Sequence, residues 1–239
     1  MSMHVQQLKV KIFADGADRA TIFELCKDPV VRGFTTNPTL MRKAGVSDYE
    51  AFAREILREV KDRPISFEVF SDEFATMESQ ALKLASWGDN VYVKIPVTNT
   101  RGESAAPLMA RLSKRGVKVN ATAVLTLAQV QETTRSLAAG PSAVISVFAG
   151  RIADTGVDPL PIMKGALETV APHANLEIIW ASPREVFNIV QADQLRCHII
   201  TVTADLLKKL PMLGSDLAGL SLDTVRMFHR DAAAAGYTL

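Results

Sequence analysis

Eight short β-rich runs recur along this chain with longer helix-like segments between them, and in five of the runs the polar side chains fall on a single parity. The runs lie near residues 9–14, 33–36, 65–69, 91–96, 117–122, 143–148, 176–181 and 199–202. Short strands alternating with helical segments are the pattern of successive βα units around a parallel sheet. In a parallel barrel, alternate strand side chains point to the interior and to the surrounding helices. Val10, Ile12 and Ala14 oppose Lys11, Phe13 and Asp15, and Ile65, Phe67 and Val69 oppose Ser66 and Glu68. Val91, Val93, Ile95 and Val97 oppose Tyr92, Lys94 and Pro96. Val117, Val119, Ala121 and Ala123 oppose Lys118, Asn120 and Thr122, and Ala143, Ile145 and Val147 oppose Val144, Ser146 and Phe148. With each apolar set packed on helices, the interior is expected to hold Asp15, Glu68, Lys94, Asn120, Thr122 and Ser146. All six fall toward strand C-terminal ends, where barrel enzymes place their chemistry. A polar interior this dense is expensive without a function.

The expected fold is therefore α/β, a (β/α)8 TIM barrel. At 239 residues and 48% hydrophobic, the chain is long enough for one large core, so a single barrel domain over 1–239 is expected. Ser47-Asp48 opens a periodic stretch through Val60, Thr126 opens one through Leu137, and Ser182-Pro183 opens one through Val190. Residues 220–235 read as an additional amphipathic C-terminal helix that covers the barrel or contacts another subunit. A doubly wound open sheet also alternates strands and helices, but its strands are covered on both faces and read as continuous apolar runs. The alternation favours the barrel, and no GxGxxG follows the first strand to suggest a dinucleotide.

Composition removes several classes of function. Twenty-seven basic against 26 acidic residues leave no excess for non-specific nucleic-acid binding. Cys26 and Cys197 stand apart, and neither they nor the four histidines form a metal-ligand spacing. Residues 1–9 lack the apolar core of a signal peptide, and no window approaches the ~18–20 apolar residues of a membrane span. A cytoplasmic protein without membrane or nucleic-acid partners is expected. Lys94 stands out against this background, in the middle of Val91-Tyr92-Val93-Lys94-Ile95-Pro96-Val97. An ammonium in a buried strand either pairs or gives up its proton, and the neutral amine is a nucleophile that condenses with ketones or aldehydes. A strand-end lysine snorkelling to water is the competing reading of this segment alone.

Six motifs in order resemble the transaldolase family over nearly the whole chain. They are Ile12-Phe13-Ala14-Asp15, Gly33-Phe34-Thr35-Thr36-Asn37-Pro38-Thr39, Val93-Lys94-Ile95-Pro96-Val97-Thr98, Asn120-Ala121-Thr122, Ser146-Val147-Phe148-Ala149-Gly150-Arg151-Ile152 and Ala181-Ser182-Pro183-Arg184. The resemblance implies a (β/α)8 barrel that forms a Schiff base between its strand-4 lysine and a ketose, with no metal and no organic cofactor. Transferred by position, that lysine is Lys94, Asp15 is the acid/base, and Glu68 and Thr122 hold a catalytic water. Thr35, Asn37, Asn120, Ser146 and Phe148 match substrate-binding positions, and Arg151, Ser182 and Arg184 match the phosphate site. Ser182 is also expected at a helix N-terminus, which favours an anion.

The implied activity is transfer of a dihydroxyacetone unit from fructose 6-phosphate or sedoheptulose 7-phosphate to an aldose phosphate, as in the pentose phosphate pathway. Fructose 6-phosphate aldolases resemble this chain in length but generally carry glutamine at the position of Glu68 and tyrosine at that of Phe148. Both positions here look like transaldolase. Simple aldol cleavage, action on another anionic ketose such as a sulfonated sugar, and a non-catalytic sugar-phosphate-binding barrel are the alternatives. Small sugar phosphates are the expected partners, together with further copies of the chain, since short relatives often form rings of five or ten subunits.

Overall fold

The computed structural model describes residues 5–238. Residues 1–4 of the N-terminal segment read above for a signal core, and residue 239, lie outside the described residues. Eight parallel strands close into a barrel in sequence order: β1 (Lys11–Asp15), β2 (Val31–Thr35), β3 (Ile65–Glu68), β4 (Val91–Pro96), β5 (Val119–Val124), β6 (Ala143–Val147), β7 (Leu176–Trp180) and β8 (Ile199–Thr203). The helices are α1 (Arg19–Leu25), α2 (Pro38–Lys43), α3 (Tyr49–Glu59), α4 (Phe74–Ala85), α5 (Ala106–Lys114), α6 (Leu127–Leu137), α7 (Ala149–Ala153), α8 (Leu160–Val170), α9 (Phe187–Gln194), α10 (Ala204–Leu207) and α11 (Leu217–Ala235). The fold is thus a (β/α)8 barrel with an additional C-terminal helix. Every strand foreseen in the sequence is present, with ends displaced by at most two residues.

Local chemistry fixes the helix starts. The Asp48 carboxylate accepts the N–H of Ala51 to cap α3. Thr126 and Gln129 form a reciprocal capping box at α6, each side chain bonding the other's backbone N–H. Ser182-Pro183 behaves differently from expectation. The helix that follows β7 begins only at Phe187, because Ser182 takes a left-handed φ of 59° and the Asn188 side chain collects the N–H groups of Arg184 and Glu185. Those bonds hold residues 182–186 as a turn ahead of α9.

Strand parity divides the apolar side chains into two cores. Ile12, Phe67, Val93, Ile95, Val119 and Ile145 belong to the large layer between barrel and helices. Phe13, Val144, Ile179, Ala181 and Ile199 form a second, smaller cluster, with Tyr92 and Phe148 packed against it. These residues fill the waist of the barrel, on the same parity as the polar groups above them. Gly33 makes room for this plug, since a Cβ there would sit 2.6 Å from the Phe13 ring. Below the plug lies a cavity of about 500 Å³ at the N-terminal end, edged by Lys11, Arg63, Tyr92 and Glu177. α11 buries none of its residues and leaves Leu217 and Phe228 more than half exposed.

Candidate active site

Above the plug, the C-terminal ends of the strands converge a polar set around Lys94. The residue is 5% exposed, and its Nζ lies 3.0 Å from Glu68 Oε2 and donates to the Thr36 carbonyl at 2.9 Å. The strand register explains the pairing, because Glu68 of β3 and Lys94 of β4 are direct neighbours in the ladder and share the interior parity. Snorkelling is excluded, since the ammonium is buried and bonded within the barrel.

Asp15 ends β1 and accepts a hydrogen bond from Thr35 Oγ1 at 2.7 Å. The Thr35 hydroxyl in turn meets that of Thr201 on β8, so Thr35 orients the carboxylate from the interior face. Burial raises the Asp15 carboxyl above its ordinary value of 3.8; the nearby Lys94 cation and the Thr35 hydrogen bond oppose that rise, and the Glu68 charge adds to it. A carboxyl shifted toward neutrality suits a group that must both take and return a proton.

Ser66 on β3, Asn120 on β5 and Ser146 on β6 form a buried chain that passes across the interior face of β4. Ser146 Oγ donates to Asn120 Oδ1 at 2.7 Å, and Asn120 Nδ2 donates to Ser66 Oγ at 2.9 Å. Thr122 is buried nearby on β5, and among the described residues its Oγ1 has no hydrogen-bond partner. A bulge follows immediately, with Ala123 at φ 60° and the β5–β6 register shifted between Ala121 and Val124. A non-glycine residue in this conformation costs about 1–3 kcal/mol, and such strain clusters where a site demands it. Asn37 is positioned by its role as N-cap of α2, with Oδ1 accepting the N–H of Leu40 and Nδ2 left for other contacts.

The three residues expected at an anion site gather at the rim between β6 and β7. Gly150, the second residue of α7, lies so close to Ser182 that a Cβ there would sit 1.6 Å from the Ser182 carbonyl oxygen, so only glycine allows this approach. The contact brings Arg151 beside Ser182, with the guanidinium 5.5 Å from the centre of the Phe148 ring. Arg184 lies exposed across from Asp154, its Nε 2.9 Å from Oδ1. Arg184 holds the Asp154 carboxyl below the usual range, and the pair pre-orients one edge of the guanidinium.

Sequence reasoning set Ser66 on the interior parity without naming it a site residue, and it missed Thr201 and also Tyr49, whose hydroxyl bonds the backbone of Glu68. Thr201 shares its parity with Ile199 and could have been found that way. Tyr49 lies outside the strands and left no such signal.

Residues 12–238 match the Transaldolase/Fructose-6-phosphate aldolase family. The chain belongs to that family. A protein named probable transaldolase from Dehalococcoides mccartyi is 32% identical over 218 residues, covering 90% of this chain and 97% of the relative. A probable transaldolase from Streptococcus pyogenes serotype M5 is 36% identical over 202 residues, 84% of this chain and 90% of that protein. For a transaldolase/fructose-6-phosphate aldolase family member, the interior polar set at the C-terminal mouth is the natural place to look for chemistry. No helix among the described residues is long and apolar enough to cross a membrane.

Proposed function

We propose that this chain is a metal-independent transaldolase that carries a dihydroxyacetone unit on Lys94, from fructose 6-phosphate or sedoheptulose 7-phosphate to an aldose phosphate. The observation that carries the reading is a buried lysine at the C-terminal end of β4, bonded to Glu68 and within the electrostatic reach of Asp15. The neutral Lys94 amine adds to the ketose C2, and loss of water leaves an iminium that serves as electron sink. Glu68 and Thr122 hold the water through which those protons move. Asp15 takes the C4 hydroxyl proton, the C3–C4 bond breaks, and its electron pair passes into the iminium to give an enamine as the aldose leaves. The enamine C3 then attacks the acceptor aldehyde, Asp15 returns its proton to the new alkoxide, and water releases the product ketose from Lys94.

Asn37, Asn120 and Ser146 hold the hydroxyls of the three-carbon unit, and Thr35 acts by orienting Asp15. Arg151, Ser182 and the free edge of Arg184 hold the phosphate at the rim. Phe148 offers no hydroxyl beside the enamine, which supports transfer to an aldehyde over release of a free ketone. Phosphorylated substrates do not cross membranes unaided, which supports a cytoplasmic reaction. The exposed apolar face of α11 is assigned to contact with another copy of the chain. Phe228→Asp is expected to lower the assembly mass seen by light scattering, and an unchanged mass removes that assignment.

The functional test is borohydride trapping with fructose 6-phosphate in the absence of acceptor, followed by peptide mass mapping. A reduced three-carbon adduct on Lys94 is expected. No adduct with either ketose phosphate would remove the proposed donors.

A further inference from the structure

We propose that Tyr49 is a positioning residue for Lys94, acting by satisfying both backbone groups of Glu68, whose N–H would otherwise engage the carbonyl used to hold the lysine. The inference rests on the Schiff-base reading of Lys94. It begins with the β2–β3 ladder. Thr36 N–H donates to the Ser66 carbonyl at 3.1 Å, which is the regular bond of a parallel pair. Continued by the same pattern, the next two bonds would run from Glu68 N–H to the Thr36 carbonyl, and from residue 38 N–H to the Glu68 carbonyl. Residue 38 is a proline and has no N–H, so the second of these cannot form. The first does not form either; the Thr36 carbonyl accepts Lys94 Nζ, and the Glu68 N–H turns to Tyr49.

Without Tyr49, Glu68 would carry an unpaired N–H and an unpaired C=O in the wall of the barrel, each expensive to leave unmade. The Tyr49 hydroxyl satisfies both. It donates to the Glu68 carbonyl at 2.9 Å and accepts the Glu68 N–H at 2.9 Å. Tyr49 is the first residue of α3, and its ring is held between Phe67, Phe70 and Trp87, with centroid separations of 5.6 to 6.3 Å. Burial pushes its phenol above the usual range, so the hydroxyl stays protonated and remains a donor. One side chain thus fixes the backbone of Glu68 and leaves the Thr36 carbonyl available to Lys94. Without the hydroxyl, the Glu68 N–H competes with Lys94 for that carbonyl.

Tyr49→Phe removes the hydroxyl and keeps the ring. Trp87→Phe alters the same aromatic cluster and no hydrogen bond, since Trp87 Nε1 has no partner among the described residues. The expected result is that Tyr49→Phe lowers kcat about tenfold with KM unchanged, the rate equivalent of about 1.4 kcal/mol. Substrate contacts stay in place, so only imine formation slows. Trp87→Phe should leave both constants near wild type. If Tyr49→Phe folds poorly, 3-fluorotyrosine at position 49 keeps the ring and hydroxyl but weakens the oxygen as acceptor, and a smaller drop in kcat alone is then expected. Borohydride trapping of the wild-type protein runs alongside. A wild type that gives no Lys94 adduct overturns the Schiff-base reading and this inference with it. A wild-type adduct combined with unchanged kcat in the Tyr49 variants, or with equal losses in the Tyr49 and Trp87 variants, overturns this inference alone.

Discussion

The barrel interior contains two lysine–glutamate pairs on the same parity, one at each end, and they differ in almost everything except residue type. At the C-terminal end, Lys94 and Glu68 lie 3.0 Å apart with side chains 7% and 15% exposed. At the N-terminal end, Lys11 and Glu177 lie 2.6 Å apart with side chains 40% and 35% exposed. Between them sits the apolar plug of Phe13, Val144, Ile179 and Ile199. The lower pair is closer in space, yet water screens it and solvates whichever partner is left when the other is removed. The upper pair is sealed, so each charge depends on its neighbours and on the Thr36 carbonyl. Burial, and not ion-pair distance, distinguishes a lysine available for chemistry from one that solvates an opening.

The comparison breaks most directly at Lys94. Arginine stays protonated and cannot form an imine, so Lys94→Arg is expected to abolish transfer while circular dichroism reports a retained fold. Measurable turnover at the wild-type rate would put the chemistry elsewhere. Asp15→Asn follows in size, with turnover expected to fall by about 10²–10⁴, the range of positioned acid–base groups. The same variant has a stability consequence of opposite sign. Because the folded Asp15 carboxyl sits above its ordinary value of 3.8, the native state holds this proton more tightly than the unfolded chain. Its contribution to stability is therefore present at low pH and lost as pH rises from about 4 through the folded value. An asparagine removes that loss, so the Tm of Asp15→Asn should exceed wild type by a few degrees at pH 8 and by less at pH 4. A variant less stable than wild type at pH 8 would mean that the Thr35 hydrogen bond outweighs the burial of charge.

The plug is tested by Phe13→Ala. Phe13 is 4% exposed and the tip of its ring abuts Gly33, so truncation opens a cavity that the barrel cannot close. A loss of about 3–5 kcal/mol in chemical denaturation is expected. The plug then separates the two ends by packing alone, and turnover of the folded fraction should persist. Turnover lost in proportion to no unfolding would instead tie the plug to the geometry of Asp15, two residues along β1.

How much of this was legible in the sequence follows from which atoms carry it. Period-2 alternation exposed the strands and the interior set, because parity alone decides which side chains face inward. Lys94, Glu68 and Asp15 were found by that rule, and the register then set the Lys94–Glu68 contact. The Thr36 carbonyl was invisible, since every residue has one and only the end of the β2–β3 ladder leaves it to Lys94. Tyr49 was hidden for the same reason: it replaces a backbone partner from the start of a helix. The Ser182-Pro183 pair was misread because serine before proline is a sound capping signal, whereas a left-handed serine pressed against Gly150 is a tertiary outcome. The strained Ala123 beside Thr122 escaped likewise, as alanine carries no signature of a bulge.

The smallest effect belongs to the lower pair, and it sharpens the comparison most. Lys11→Met keeps most of the aliphatic stem and leaves Glu177 at an opening where water can reach it. A half-exposed pair of this kind contributes about 0.2–1 kcal/mol, which corresponds to a Tm change of at most about 4 °C in a chain of this size. Turnover should be unchanged. Lys94→Met is the matched substitution at the other end, and there Glu68 loses its cation inside the barrel wall, where an uncompensated charge is far more costly. The Tm loss at Lys94 should therefore exceed that at Lys11 at neutral pH. Equal losses in the two variants would mean that water enters the upper site as freely as the lower one, and that burial is not what separates them.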